Sequence, residues 1–269
     1  MTAPAVLARA TGRTGSSDVA AHDITLPAGI NAGERLLVCV AVDEGQTFFV
    51  DEGYSGSAWQ NVGQGNNSFS VGGAVFTKIA EGGDLLRLRI SSTSPLQQSS
   101  HVSFRIGAAN MVEGANANGS STNSDPPEFE SSAHAGSPDV DVLWIVFRAG
   151  DSTVVASALP STPSAFSNQQ SIAAAGAGGA SCDTGELSVQ NGHINPGTFT
   201  SNTEQWVAWT LAVYNWTQAV ARVTQQVAEV VSNEIPAARI TQLVVEIVST
   251  NVLDDPAVGN VGGQLVIAT

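Results

Sequence analysis

One β motif is used twice, and that repetition limits the fold more than any other feature of the chain. Residues 36–42 (Leu-Leu-Val-Cys-Val-Ala-Val) read as a buried strand running into a turn at 43–47. About 105 residues later the pattern returns at 141–147 (Asp-Val-Leu-Trp-Ile-Val-Phe), followed by a turn at 148–153, so that Gly45 falls opposite Gly150. At nearly the same offset Gly72, Gly73 and Ala74 match Gly178, Gly179 and Ala180. Val102, Phe104 and Ile106 align with Val207, Trp209 and Leu211, and each set follows a proline turn, at Pro95 and at Pro196. Similarity at one fixed offset marks a repeated structural unit.

The composition suits such a unit. Only 13% of residues are charged, 27 are glycine, and Lys78 is the single lysine. Apolar residues make up 42% and cluster in strand-length runs, which describes β structure with many tight turns rather than a disordered chain. The expected fold is all-β: a jelly-roll-like β-sandwich built from two similar halves, plus a small C-terminal β appendage. Neither half has strands enough to close alone, so the halves are expected to share one core.

In chain order, residues 1–19 read as an N-terminal arm or an irregular first strand, and 20–216 as the sandwich. Its halves run 20–117 and 128–216. Strands are expected at 20–26, 34–43, 46–50, 69–80, 85–92, 99–106 and 111–117. Within 69–80, Gly72 and Gly73 mark a bulge. In 85–92, Leu86, Leu88 and Ile90 alternate with Arg87 and Arg89, the pattern of a half-buried strand. The polar stretch 118–127 connects the halves. The cycle then repeats with strands at 128–135, 141–150, 171–175, 180–188 and 204–216. The glycine-rich run 173–180 lacks phosphate-loop spacing and reads as a loop or bulged strand.

From about residue 217 the character changes. Ala-Arg-Val-Thr-Gln occurs at 221–225 and again at 238–242, each time followed by a valine-rich run. The phase fits a helical face, while the β-branched content favours strands. Strands are the preferred reading of 217–269, and a helix over 217–250 stays open. Two or three strands alone cannot bury an apolar face in water, so this region is expected to dock or oligomerise. Arg222, Val223, Gln225, Val227, Arg239, Ile240, Gln242 and Val244 are the candidate docking residues.

Charge and chemistry narrow the function. The net charge is −14, with ten basic residues and no basic cluster, which excludes the counterion-displacing face of a nucleic-acid binder. No run approaches membrane-spanning length, and the first residues lack the pattern of a secretory signal, so neither membrane insertion nor a leader is expected. Cys39 reads as a buried thiol; a disulfide with Cys182 stays open, and nothing in the spacing requires one. His22, His101, His134 and His193 are widely separated in sequence and lack metal-ligand spacing. Asp254 and Asp255 read as a solvated turn, and Asp139 and Asp141 as acids guarding a sheet edge. No catalytic set, metal site or cofactor is expected. Among the aromatics, Trp144, Trp206, Trp209 and Trp216 read as core, with Trp206 and Trp209 on opposite faces of one strand, so that one of them is a candidate for the outside. Tyr54 and Trp59 are the candidate exposed patch for a glycan.

The repeated Ala-Arg-Val-Thr-Gln element resembles one at the ends of tailed-bacteriophage structural proteins. Leu-Pro-Ala-Gly at 26–29 with Ala-Gly-Glu-Arg-Leu-Leu-Val at 32–38, and Pro-Gly-Thr-Phe-Thr at 196–200 with Glu-Gln-Trp-Val-Ala at 204–208, are similar to the opening and close of phage virion jelly-roll modules. The chain departs from that pattern at 56–59, Gly-Ser-Ala-Trp, where such modules carry a Pro-x-Gly-Trp turn. The resemblance implies a non-enzymatic virion structural protein. Capsid decoration or a head fibre on the particle surface comes first, and a tail-associated protein next. The implied partners are capsid or tail proteins and the chain itself, as a homotrimer. It would be made in the bacterial host cytoplasm. The alternative is a carbohydrate-binding β-sandwich for host attachment, and a third reading is a glycan depolymerase.

Overall fold

The structure is a computed structural model that describes residues 3–43, 48–51, 55, 59–68, 70–81, 87–92, 98–132, 141–176, 179–190 and 192–215. Fifteen strands are described, and every paired ladder is antiparallel. The protein is an all-β sandwich. Two five-stranded sheets form its centre, and two smaller sheets cover them from outside.

The first central sheet has the order β1-β8-β3-β6-β5, from Ala5–Arg13, Ser99–Gly107, Arg35–Asp43, Val71–Ile79 and Gln60–Asn67. The second has the order β12-β13-β11-β15-β9, from Ser167–Ala173, Ser181–Gln190, Asp141–Gly150, Phe199–Tyr214 and Met111–Ser124. Outside the first lies β2-β7-β4, from Ala21–Ile24, Leu88–Ser92 and Phe48–Val50. A two-stranded ladder, β10-β14, from Phe129–Glu130 and His193–Ile194, belongs to the second half. The pairings nest. In the first half β1 joins β8, β2 joins β7 and β3 joins β6; in the second β9 joins β15, β10 joins β14 and β11 joins β13. A long hairpin wound on itself has this order.

Alternation along the central strands explains the layers, because successive side chains leave a strand on opposite faces. On β3, Leu37, Cys39 and Ala41 enter a core shared with Leu143, Ile145, Phe147 and Ala149 of β11. Val38, Val40 and Val42 face the other way and meet Ile24, Phe48, Leu88 and Ile90 of the outer sheet. On β11, Val142, Trp144 and Val146 face outward and pack with Phe129, Phe166, Ile194 and Phe199. Buried on both faces, these two strands carry the longest apolar runs of the body, as a strand between two cores must. Contacts between the sheets set β1 near β12, β8 near β13, β3 near β11, β6 near β15 and β5 near β9. The two sheets therefore lie back to back about a pseudo-two-fold axis between β3 and β11.

Several details differ from the sequence reading. Of the two readings of residues 1–19, the irregular strand holds for 5–13, which form edge strand β1 along β8 from Ala5↔Gly107 to Arg13↔Ser100, with a register shift between Val6 and Ala8. Residues 111–124 form one 14-residue strand in the second half's sheet, so most of the polar connector is ladder and the halves divide near residue 109. β6 pairs with β3 without a register break, so Gly72 and Gly73 make no bulge in that ladder. Asp141 opens the central strand β11 and guards no edge. At the fixed offset Leu37 would match Val142, on the opposite face; the facing residue by role is Leu143.

Trp206 lies beside the edge strand. Its indole Nε1 donates to Ser121 Oγ at 3.2 Å, and its ring covers Gly119 so closely that a Cβ there would sit 2.6 Å from it. Trp206→Phe should lower the unfolding free energy by about 1–2 kcal/mol, through one lost hydrogen bond and a small void, measurable by urea titration.

Candidate functional site

Two buried polar clusters lie one on the outer face of each central sheet. On the first, the outward row of β8 is Ser99, His101, Ser103 and Arg105. Each reaches the segment that carries β2. Ser99 Oγ lies 2.5 Å from His22 Nδ1, and the Thr25 N–H donates to His101 Nε2 at 2.9 Å. Ser103 Oγ donates to Thr25 O at 2.6 Å, and Arg105 Nη1 donates to Ala28 O at 2.7 Å. Burial pushes both imidazoles down to about 4, against a weak pull upward from Asp23 on His22, and with His22 adding to the lowering of His101. The two histidines, far apart in sequence, are thus neighbours in the fold.

A serine hydroxyl on an imidazole is the first half of a nucleophile–base pair. Here Ser99 is 1% and His22 2% exposed, so neither meets a substrate from solution. Asp23, the third group a triad needs, is bound instead to Arg89 at 2.6 Å and 3.1 Å. The arrangement fastens β2 to β8.

The second place surrounds Arg148, which β11 carries outward and fully buried. Its Nη1 meets Asp183 Oδ2 at 2.6 Å and Ser181 Oγ at 3.0 Å, its Nε donates to Ser124 Oγ at 2.9 Å, and Nη2 pairs with Glu204. Asp183 also accepts the Ala156 N–H at 3.1 Å, which ties the loop after β11 down onto the sheet. Burial raises the Asp183 carboxyl and lowers the Arg148 guanidinium, each opposed by attraction to the other. Four strands and a loop converge on one guanidinium, whose planar fork serves several acceptors at once.

Comparison with known protein families, with curated proteins and with solved structures finds no match for this chain. The geometry has to speak by itself. Of the candidate glycan residues, Trp59 is half-buried, packed against the cluster that the outer sheet shares with β3 and β6, and Tyr54 lies outside the described residues. Trp206 is 6% exposed, and Trp209 is 1% exposed and stacked on Phe147 at 4.7 Å, so the two leave β15 on opposite faces but neither meets solvent. Trp144 is buried edge-on to Phe129. All eight docking candidates, Arg222 to Val244, lie outside the described residues, as do Trp216, His134, Asp139, Asp254 and Asp255, and the choice between helix and strand over 217–250. His193 pairs with Glu128 at 2.7 Å on the surface. Among the described residues, no three histidine, cysteine or acidic side chains come together to hold a metal ion, and no helix is long and apolar enough to cross a membrane.

Cys39 and Cys182 are free thiols that meet across the central core, Cys182 Sγ donating to Cys39 O at 3.6 Å. Burial pushes both thiols well above their ordinary range. Low-lying thiolates are the reactive ones, so these two pack as small apolar groups.

Proposed function

We propose that this chain is a non-enzymatic structural protein of a tailed-bacteriophage virion, displayed on the particle surface as a capsid decoration or head-fibre protein. One observation carries the reading: a nested strand pairing, the order expected of a jelly roll, occurs twice and back to back in one body. The polar groups able to do chemistry support it, because the buried histidines, Arg148 and Asp183 are engaged in fastening strands and loops. A chain with net charge −14 is suited to the solvent side of a crowded particle and repels packaged nucleic acid. The repeat at 221–225 and 238–242 is assigned to docking on virion proteins or on sister subunits, as a homotrimer.

Electron microscopy of particles with and without the protein tests this directly. Removing residues 217–269 should abolish particle binding or oligomerisation while the sandwich keeps its β circular dichroism. A truncated protein that still decorates particles would remove the docking role. Saturable binding on a glycan array, lost in Trp59→Ala, would replace the structural reading with host attachment.

A further inference from the structure

We infer that the strap formed by residues 21–29 is an acid-released element: charging His101 and His22 detaches it from β8 while the central sandwich stays folded. His101 Nε2 accepts the Thr25 N–H at 2.9 Å, so in the attached state the proton of the neutral ring sits on Nδ1. An imidazolium carries protons on both nitrogens and accepts nothing. Charging His101 therefore puts an N–H against the Thr25 N–H and replaces a hydrogen bond by a repulsion.

The ring has nowhere to turn. Gly12 of β1 lies against it so closely that a Cβ there would stand 2.5 Å from both Cε1 and Nε2. Ser103 holds Thr25 O at 2.6 Å from the same strand, so the Thr25 peptide is fixed from both ends. His22 adds to the effect. Its Nδ1 is used by Ser99, its Nε2 has no hydrogen-bond partner, and it is 2% exposed. A second charge beside His101 is opposed by the first.

Asp23 favours a charge on His22, but burial outweighs that pull. On β2, Asp23 is held by Arg89 of β7 at 2.6 Å and 3.1 Å. Arg105, on the outward row of β8, is cationic and faces Glu34 at 3.4 Å. The β1 residues at this level, Thr11 and Gly12, are uncharged, and Arg13 is turned to Ala173 O at 3.1 Å. Burial accordingly holds both imidazoles near 4. The sign follows: a released histidine titrates near its ordinary 6.5, so between 6.5 and 4 the released strap binds protons that the attached strap refuses. Attachment is complete above that window and weakens as pH falls through it. Against this the strap sets Ile24 and, at the margin, Leu26 in the outer core, the short β2–β7 ladder, the Asp23–Arg89 pair, and the bonds from Ser103 and Arg105 to its carbonyls. The central core is lined by apolar side chains and two neutral thiols.

Hydrogen exchange read by mass spectrometry, corrected for the intrinsic rate at each pH, tests the inference on the full chain. Protection of residues 21–29 should fall roughly tenfold or more between pH 7 and pH 4.5, an effect well within two depressed histidines. Peptides from β11 and β15 should keep theirs. His101→Gln, whose amide oxygen can accept the Thr25 N–H without titrating, should reduce the loss. Loss of protection in the strap together with β11 and β15 would overturn the idea, as would an unchanged loss in a His101→Gln protein whose tryptophan circular dichroism at pH 7 is normal. If that variant does not fold, the imidazole resonances of the natural protein decide. A His101 that takes its proton near pH 6.5 with the strap still protected overturns the inference; one that titrates together with strap release supports it.

Discussion

Gly73→Val should lower the unfolding free energy by at least about 3 kcal/mol, the upper end of what overpacking costs, and so remove much of a typical domain's stability. A Cβ at this position would lie 2.4 Å and 2.6 Å from ring carbons of Trp209 and 3.2 Å from Ala149 Cβ. The far end of a side chain can often move aside; this one cannot. Trp209 is 1% exposed and stacks on Phe147 with ring centroids 4.7 Å apart and planes at 17°. The glycine is where the first sheet admits the largest side chain of the second, at the heart of the shared core. Urea unfolding followed by tryptophan fluorescence measures the loss. Pairing Gly73→Ala with Trp209→Leu should recover part of what each costs alone, because the added methyl then fills vacated space. Strictly additive losses would mean that the two sheets do not meet here as described.

That glycine also shows how far a sequence can be read. The pair Gly72-Gly73 stands out in the strand 71–79, and the usual reasons for glycine in a strand are a bulge or a close approach. The sequence favours the bulge; the structure holds the close approach. Choosing between them requires knowing that β15 lies across β6, which no local pattern contains. The long apolar runs of β3 and β11 are the opposite case. Leu37 to Val42 and Val142 to Phe147 are apolar on both faces, and only a strand between two cores needs that. They are legible because the demand is local.

Edges are less legible than centres. Residues 116–123, Asn-Ala-Asn-Gly-Ser-Ser-Thr-Asn, have low strand propensity and read as a connection. They extend because the 16-residue β15 offers them a ladder, from Met111↔Tyr214 to Ser124↔Phe199. Residues 5–13 are strand for the same reason, beside β8. The sequence singled out His22 and His101 but not as neighbours, and it did not single out Arg148, Asp183 or Glu204 at all. His22 and His101 meet because β2 crosses the outward face of β8, and Arg148, Asp183 and Glu204 meet because three adjacent strands each turn one position outward. Nothing in their spacing announces either meeting. Trp59 reads as exposed because its surroundings are polar; it is half-buried, with part of its ring packed against the outer-sheet core.

Arg148→Met should cost about 3–5 kcal/mol, and the loss should shrink on acidification. Removing the guanidinium leaves Asp183 buried with the Ala156 N–H and the Ser171 hydroxyl as donors, and Glu204 with Oε2 already unpartnered. Both carboxylates then lie in a desolvated site with no cation between them. Burial already raises the Asp183 carboxyl with Arg148 in place, and taking away the attraction raises it further. A folded carboxyl that holds its proton more tightly than the unfolded chain gains stability as pH falls through its raised value. Both proteins should lose stability from pH 7.5 to pH 5.5 as His22 and His101 resist charging, but in the variant the raised carboxyl offsets part of that loss. A shallower loss in the variant than in the natural protein, in paired urea titrations at the two pH values, is the expected result. Arg148→Lys should fall between, because an ammonium can neutralise one carboxylate but cannot span Ser124, Ser181, Asp183 and Glu204 together. A loss below about 1 kcal/mol for Arg148→Met, or parallel pH slopes, would show that this cluster is solvated and does not hold the four strands.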